Sequence, residues 1–174
     1  RAGGIVQRIR HFARKRLATR EPVSLPEIAD EARRLIVGML ARAPEVIIEN
    51  RLTSNCQVLA DGAQIQQVFL NLIKNAIDAN RDLPIERHNL RILIEPLDNW
   101  VAVHVIDQGV GLDAGQLPHL FEPFFTTKPD GLGLGLPICK TIIEAHGGRL
   151  WAEPNADGPG MRFSFSLPCH ELSA

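Results

Sequence analysis

Gly131-Leu132-Gly133-Leu134-Gly135 places glycines at every second position. Such a run leaves backbone N–H groups uncovered and permits positive φ. The residues that follow, Leu136 to His146, carry a helical pattern. A glycine-rich turn feeding a helix N-terminus is a ready cradle for phosphate, because the N–H groups of the first turn have no partner within the helix. Just upstream, Lys128 can reach a phosphate oxygen as a point charge, and the Thr126 and Thr127 hydroxyls can assist or merely satisfy a turn. Taken alone, this segment is a weak signal.

A second constellation is Asn71-Leu-Ile-Lys74-Asn75-Ala-Ile-Asp78-Ala79. Gln67, Asn71, Asn75 and Asp78 stand at four- and three-residue spacing and share one helix face, opposite an apolar face of Ile65, Val68, Phe69, Leu72, Ile73, Ala76 and Ile77. Asparagine costs a helix roughly 0.5 kcal/mol against alanine, so two of them one turn apart call for a reason. A solvated face is the bland one. The chemical one is a neutral amide oxygen for Mg²⁺, which takes one or two protein oxygens and fills its octahedron with waters and phosphates. A third motif, Asp107-Gln-Gly109-Val-Gly111, follows a strand-like run. It sets an acceptor-only carboxylate beside bare backbone, suited to the amino group of adenine. The bland alternative is a strand-end turn.

Two phosphate-binding patterns are excluded. The glycines read GxGxG, not the GxGxxG of a dinucleotide fold, and Thr-Thr-Lys-Pro-Asp before them is no strand. Neither Lys-Ser nor Lys-Thr stands directly after a glycine of the run, so there is no Walker A loop.

The elements that must hold these motifs are legible. Ala2, Ile5, Val6, Ile9, Phe12 and Ala13 make a helical stripe over 2–17. Ser24 caps a helix over 25–41, with Pro26 early, Glu27 at the capping-box position and an inward face of Ile28, Ala32, Leu35, Ile36 and Met39. Asp61 caps a helix over 62–81. Strands are expected at 46–50, 56–60, 91–95, 100–106, 149–153 and 161–167, the last alternating strictly in hydrophobicity. Strands and helices do not alternate strictly. The order therefore predicts a two-layer α+β sandwich, with helices on one face of a mixed, mostly antiparallel sheet.

Composition narrows the class. The chain has 174 residues, 45% hydrophobic, with a formal charge of −1 and no run long enough to span a membrane. Residues 1–20 hold seven of the 19 Lys and Arg and none of the 20 acids, so the remainder carries −8. A basic end can meet an acidic partner, but a solvated helix face accounts for it without nucleic acid. Cys56, Cys139 and Cys169 show no zinc spacing and no disulfide framework, which fits a reducing cytoplasm.

In order, residues 71–79, 107–113, 121–128 and 131–148 resemble the N, G1, F and G2 boxes of bacterial sensor histidine kinases. The resemblance covers roughly 23–168, and the short Thr-Thr-Lys-Pro lid is similar to that of nitrogen-regulation and oxygen-sensing kinases. It implies the Bergerat fold shared with gyrase B and heat-shock ATPases. It also implies two parts: 1–20 as the end of the second dimerisation helix, and 21–174 as the catalytic ATP-binding domain. By motif position, Asn75 would hold Mg²⁺ and Asp107 would bind the adenine amino group, with Gly109 and Gly111 lining the base pocket. The lid from Thr126, Thr127 and Lys128 through Gly131, Leu132, Gly133, Leu134 and Gly135 would close over the phosphates. Asn71 and Lys74 would stand near the phosphate tail, and Asp78 would complete the nucleotide-binding set.

The resemblance implies γ-phosphate transfer from Mg-ATP to a histidine of a dimerisation domain, and from there to a response regulator. None of the six histidines stands in the family's phosphoacceptor motif. His146, at a helix end, is expected to complement the dipole. The chain thus reads as a cytoplasmic catalytic fragment that cannot phosphorylate itself. Its parent would be a homodimer free to carry a membrane anchor elsewhere, and the fragment itself could be a monomer. Gyrase-type relatives have a glutamate one turn before the metal-binding asparagine, as general base on water. Here that position is Asn71, and an amide takes no proton near neutral pH. A gyrase-type ATPase, an anti-sigma-type serine kinase and a nucleotide-binding adaptor without transfer activity stay open as alternatives.

Overall fold

The computed structural model describes residues 19–53, 55–126, 133 and 135–171. The helix expected over 2–17 lies outside them. The order is β1 (Glu21–Val23), α1 (Leu25–Gly38), β2 (Val46–Asn50), β3 (Cys56–Ala60), α2 (Gly62–Ala79), β4 (Leu90–Leu97), β5 (Trp100–Ile106), α3 (Gly135–Ala145), β6 (Arg149–Pro154) and β7 (Met161–Glu171). Short 3₁₀ turns occupy Ile85–Arg87 and Leu117–His119.

The caps act as the sequence dictates. The Ser24 side chain accepts from the Glu27 N–H at 3.4 Å. Asp61 Oδ1 accepts from the N–H groups of Ala63 and Gln64 at 3.0 and 3.4 Å. Each satisfies donors that the first helical turn would otherwise leave bare.

The sheet runs β1-β3-β7-β5-β4-β2, and β6 also pairs with β7. Every pairing is antiparallel except β2 with β4. Strand β7 is shared along its length: Met161–Ser166 meets β6, Arg162–Pro168 meets β5, and Cys169–Glu171 meets β3.

The helices cover one face. Val68, Phe69, Leu72 and Ile73 of α2 and Ile142 and Ile143 of α3 join Val101, Val103, Phe163 and Phe165 of the sheet in one buried core. Phe69 meets Phe165 edge-on, with centroids 5.4 Å apart. The opposite face carries ion pairs beside Ile47, Leu93 and Trp151. Glu49 pairs with Arg51 and Arg91, and Glu95 with Arg51 and His104. Arg162 pairs with Glu153.

Four sequence expectations need correction. Residues 21–23, outside every expected element, form strand β1. It is an edge strand, where the missing N–H of Pro22 costs no ladder bond. Strand β7 continues past Pro168 to Glu171. Leu35 and Met39 are exposed rather than inward, because α1 ends at Gly38 and its last turn leaves the core. His146 is buried and neutral. Its Nδ1–H donates to the Ile142 carbonyl at 2.7 Å, while Nε2 accepts from the Asp61 N–H at 3.1 Å. It ties the end of α3 to the start of α2, and burial pushes its pKa down. It is therefore not a cation serving the helix dipole.

Candidate functional site

Helix α2 forms one wall. Asn71, Asn75 and Ala79 succeed one another by single turns, a run of about 12 Å at 1.5 Å per residue. Asn71 is half-buried. Its Nδ2 donates to the Gly135 carbonyl at 3.4 Å, at the start of α3, and its Oδ1 accepts from Gln67 Nε2 at 2.9 Å. Asn71 thus joins the helix that carries the asparagines to the start of α3. Lys74 is exposed and Asn75 half-buried. Asp78 pairs with Arg81 at 2.8 Å, an ion pair on the rim of the helix.

Asp107 sits at the far end of that wall, just beyond β5, and is 2% exposed. Its Oδ1 accepts from two backbone N–H groups, those of Gly109 and Met161, each at 3.0 Å. Its own N–H donates to the Met161 carbonyl at 3.0 Å. The carboxyl is thereby fixed in orientation, with Oδ2 as the remaining acceptor oxygen. Burial pushes its pKa up, and the hydrogen bonds from Met161 and Gly109 hold it back. A buried, pre-oriented acceptor suits a neutral amine-type donor such as the exocyclic amino group of adenine.

Two glycines allow this packing. A Cβ on Gly109 would lie 2.5 Å from the Ala79 carbonyl oxygen, so only glycine brings the loop against the end of α2. Gly160, with φ +104°, lies against Asp107 itself. A Cβ there would lie 2.2 Å from the Asp107 carbonyl oxygen and 2.8 Å from Oδ1. Asn80 completes the joint. It is 1% exposed, donates to the carbonyls of His88 and Asn89, and accepts from the Gln108 N–H at 2.9 Å.

On the lid side, Gly133 takes φ +72°, and its carbonyl accepts from the Phe124 N–H at 3.0 Å. Phe124 itself has φ 68°, a backbone state that is uncommon outside glycine. A Cβ on Gly133 would lie 2.5 Å from the Phe124 carbonyl carbon. The glycine run is thus stitched to the Phe121–Phe125 segment. Phe121 and Phe125 pack against the core and Phe124 is exposed. Thr126 is exposed. Thr127, Lys128, Gly131, Leu132 and Leu134 lie outside the described residues.

The structure joins Asn71 to Gly135, Asp107 to Gly109, and Gly109 to the end of the helix that carries Asn71 and Asn75, while Gly133 meets Phe124 and Phe125. Sequence reading passed over Gly160, Met161 and Asn80. A groove of about 300 Å³ lies elsewhere, bounded by Pro22, Ser24, Glu27, Gln57 and Gln66, and shares no residue with this set. Among the described residues no group of three His, Cys, Asp or Glu could cage a metal. No helix among them is long and apolar enough to cross a membrane.

Comparison with known proteins accords with this geometry. Residues 60–171 match the family model for histidine kinase-, DNA gyrase B- and HSP90-like ATPases. The sensor protein FixL of Bradyrhizobium diazoefficiens is 42% identical over 171 residues, covering 97% of this chain and 33% of FixL. Among solved structures, the mycobacterial sensor histidine kinase MprB superposes with a TM-score of 0.74 at 26% identity, covering 88% of this chain and 99% of that one. The catalytic domain of histidine kinase ThkA gives 0.73 at 31% identity, covering 86% and 95%. The chain spans about a third of the length of FixL. On these matches the chain belongs to the histidine kinase-, DNA gyrase B- and HSP90-like ATPase family, as the ATP-binding catalytic domain of a sensor histidine kinase.

Proposed function

We propose that this domain binds Mg-ATP and delivers its γ-phosphate to a histidine on a dimerisation domain of the parent protein, which then serves a response regulator. The observation that carries the reading is the Asp107 clamp. A buried carboxylate with one oxygen held by two backbone N–H groups offers the other to the adenine amino group. Gly109 lets the loop that carries Asp107 close against the end of α2. ThkA, a relative, has been solved in complex with the response regulator TrrA, which supports the partner class.

Asn75 fits Mg²⁺ by its donor chemistry: a neutral amide oxygen, half-buried on α2 one turn from Asn71, leaves the charge balance to the phosphates. Bound there, the ion would neutralise phosphate oxygens. The chain's own part is positioning and charge compensation, which is most of what phosphoryl transfer asks of a protein. Asn71 links the wall to the start of α3, and the N-terminus of α3 faces the phosphate end with its first-turn N–H groups. Lys74 and Lys128 supply positive charge, and Asp78 borders the set. Position 71 carries no carboxylate, so water has no general base at this place and competes poorly with histidine for the γ-phosphate.

The test combines two assays. The domain alone, with Mg-ATP, should turn over far more slowly than roughly 1 s⁻¹, the low end of ordinary enzyme rates. Mixed with a dimerisation domain from a close relative, it should place acid-labile phosphate on that domain's histidine. Steady hydrolysis near that rate would favour a gyrase-type ATPase, and acid-stable phosphate on a partner serine would favour a serine kinase.

A further inference from the structure

Two cysteines meet where β3 joins the C-terminal stretch of β7. Cys56 opens β3 and stands opposite Glu171, while Cys169 stands opposite Val58. The thiols are therefore diagonal neighbours on one face of an antiparallel pair. Their sulfur atoms lie 2.6 Å apart, and both side chains are half-buried. The backbone on each side is pinned. The Cys56 N–H donates to the Thr53 carbonyl at 3.2 Å, and the Cys169 N–H to the Asn99 carbonyl at 2.8 Å. A disulfide needs the sulfurs at about 2.05 Å, so closing the bond asks for a movement well under 1 Å.

We propose that Cys56 and Cys169 are a redox-active pair that closes reversibly into a disulfide under peroxide. One thiolate attacks a peroxide oxygen; an S–O bond forms, the O–O bond breaks and water leaves. The second thiol attacks that sulfenic sulfur; the S–S bond forms, the S–O bond breaks and a second water leaves. Two thiols lose two electrons and one peroxide gains them. A dithiol reductant reverses the bond by exchange. The bond staples β3 to β7 and encloses Asn71, Asn75, Asp107 and Gly160 in one covalent loop, where constraint of the unfolded chain is greatest for long loops. Cys139 stands outside this chemistry. It is fully buried, and burial pushes its thiol up to about 12. The inference is independent of the nucleotide reading.

The 174-residue chain, treated with equimolar hydrogen peroxide and then alkylated in denaturant, decides the matter by peptide mass mapping. A linked peptide pair containing Cys56 and Cys169, an intact mass lower by about 2 Da before alkylation, and a thermal midpoint raised by several degrees and returned by dithiothreitol are expected. Cys139→Ser should behave the same, and Cys169→Ser should form no internal link. Alkylation of all three cysteines, a link through Cys139, or a link only between chains would overturn the proposal.

Discussion

The two ends of the proposed nucleotide site are built from different materials. At the base end, Asp107 is 2% exposed and its orientation is set entirely by backbone: the N–H groups of Gly109 and Met161 and the close face of Gly160. At the phosphate end, Asn71 and Asn75 are half-buried, Lys74 is exposed, and the groups are side chains of one helix. The first end is finished before ligand arrives. The second is a row of polar groups whose alignment a helix guarantees, but whose engagement depends on what binds. Preorganised acceptors contribute more to binding because no ordering cost falls at the moment of association.

Breaking the base end should therefore cost most. Asp107→Asn keeps an acceptor for the two backbone N–H groups but turns an NH₂ toward an amino donor. Calorimetric titration with a non-hydrolysable ATP analogue should show affinity lower by about 100-fold, or about 3 kcal/mol, the upper range for a charged hydrogen bond. Unchanged affinity would remove Asp107 from the base pocket.

Gly160→Ala sharpens the same contrast without touching a ligand-facing group. Its Cβ would strike the Asp107 backbone at a positive φ, so the clamp must shift. Affinity should fall by about tenfold and stability by about 1–3 kcal/mol, both measurable on the same preparation. A stable variant with parental affinity would show that the hairpin plays no part in holding Asp107.

The phosphate end should respond more mildly and only with metal. Asn75→Ala should weaken analogue binding about tenfold in Mg²⁺ and hardly at all in EDTA, a loss of about 1.4 kcal/mol. An equal loss in both buffers would place the ion elsewhere.

The smallest effects concern pH. His104 and His146 have folded pKa values lowered chiefly by burial, so the stability they contribute is present above the unfolded value near 6.5 and is lost as pH falls through the folded values. Asp107 works in the opposite sense. Its raised pKa favours the fold while the carboxyl is protonated, and that contribution is lost as pH rises through the folded value. The thermal midpoint should fall below pH 6.5, and His146→Gln should flatten that slope. Analogue affinity should fall on acidification as Asp107 gains its proton, at a higher pH than for an ordinary carboxylate. A pH-independent affinity between 7 and 4 would contradict the assignment.

Much of this was legible from the chain. Gln67, Asn71, Asn75 and Asp78 could be placed on one face because an α-helix repeats every 3.6 residues, and the Asp61 and Ser24 caps because their side chains bond nearby backbone. Strand β5 was read to its ends because a turn bounds it on one side and the Asp-x-Gly motif on the other. What misled was context at element ends. Leu35 and Met39 continued an apolar stripe beyond the sheet that would have buried them, and the last strand was expected to end at 167 although β3 supplies a new partner beyond it.

The sequence by itself determined where the candidate residues stand along their elements and which face of α2 turns inward, since both follow from local spacing. Only the tertiary structure decided that Met161 and Gly160 hold Asp107, that His146 is a neutral acceptor and that Cys56 meets Cys169. Each of these joins residues dozens of positions apart. The contact is set by strand register and helix packing, and no local pattern in the chain records it.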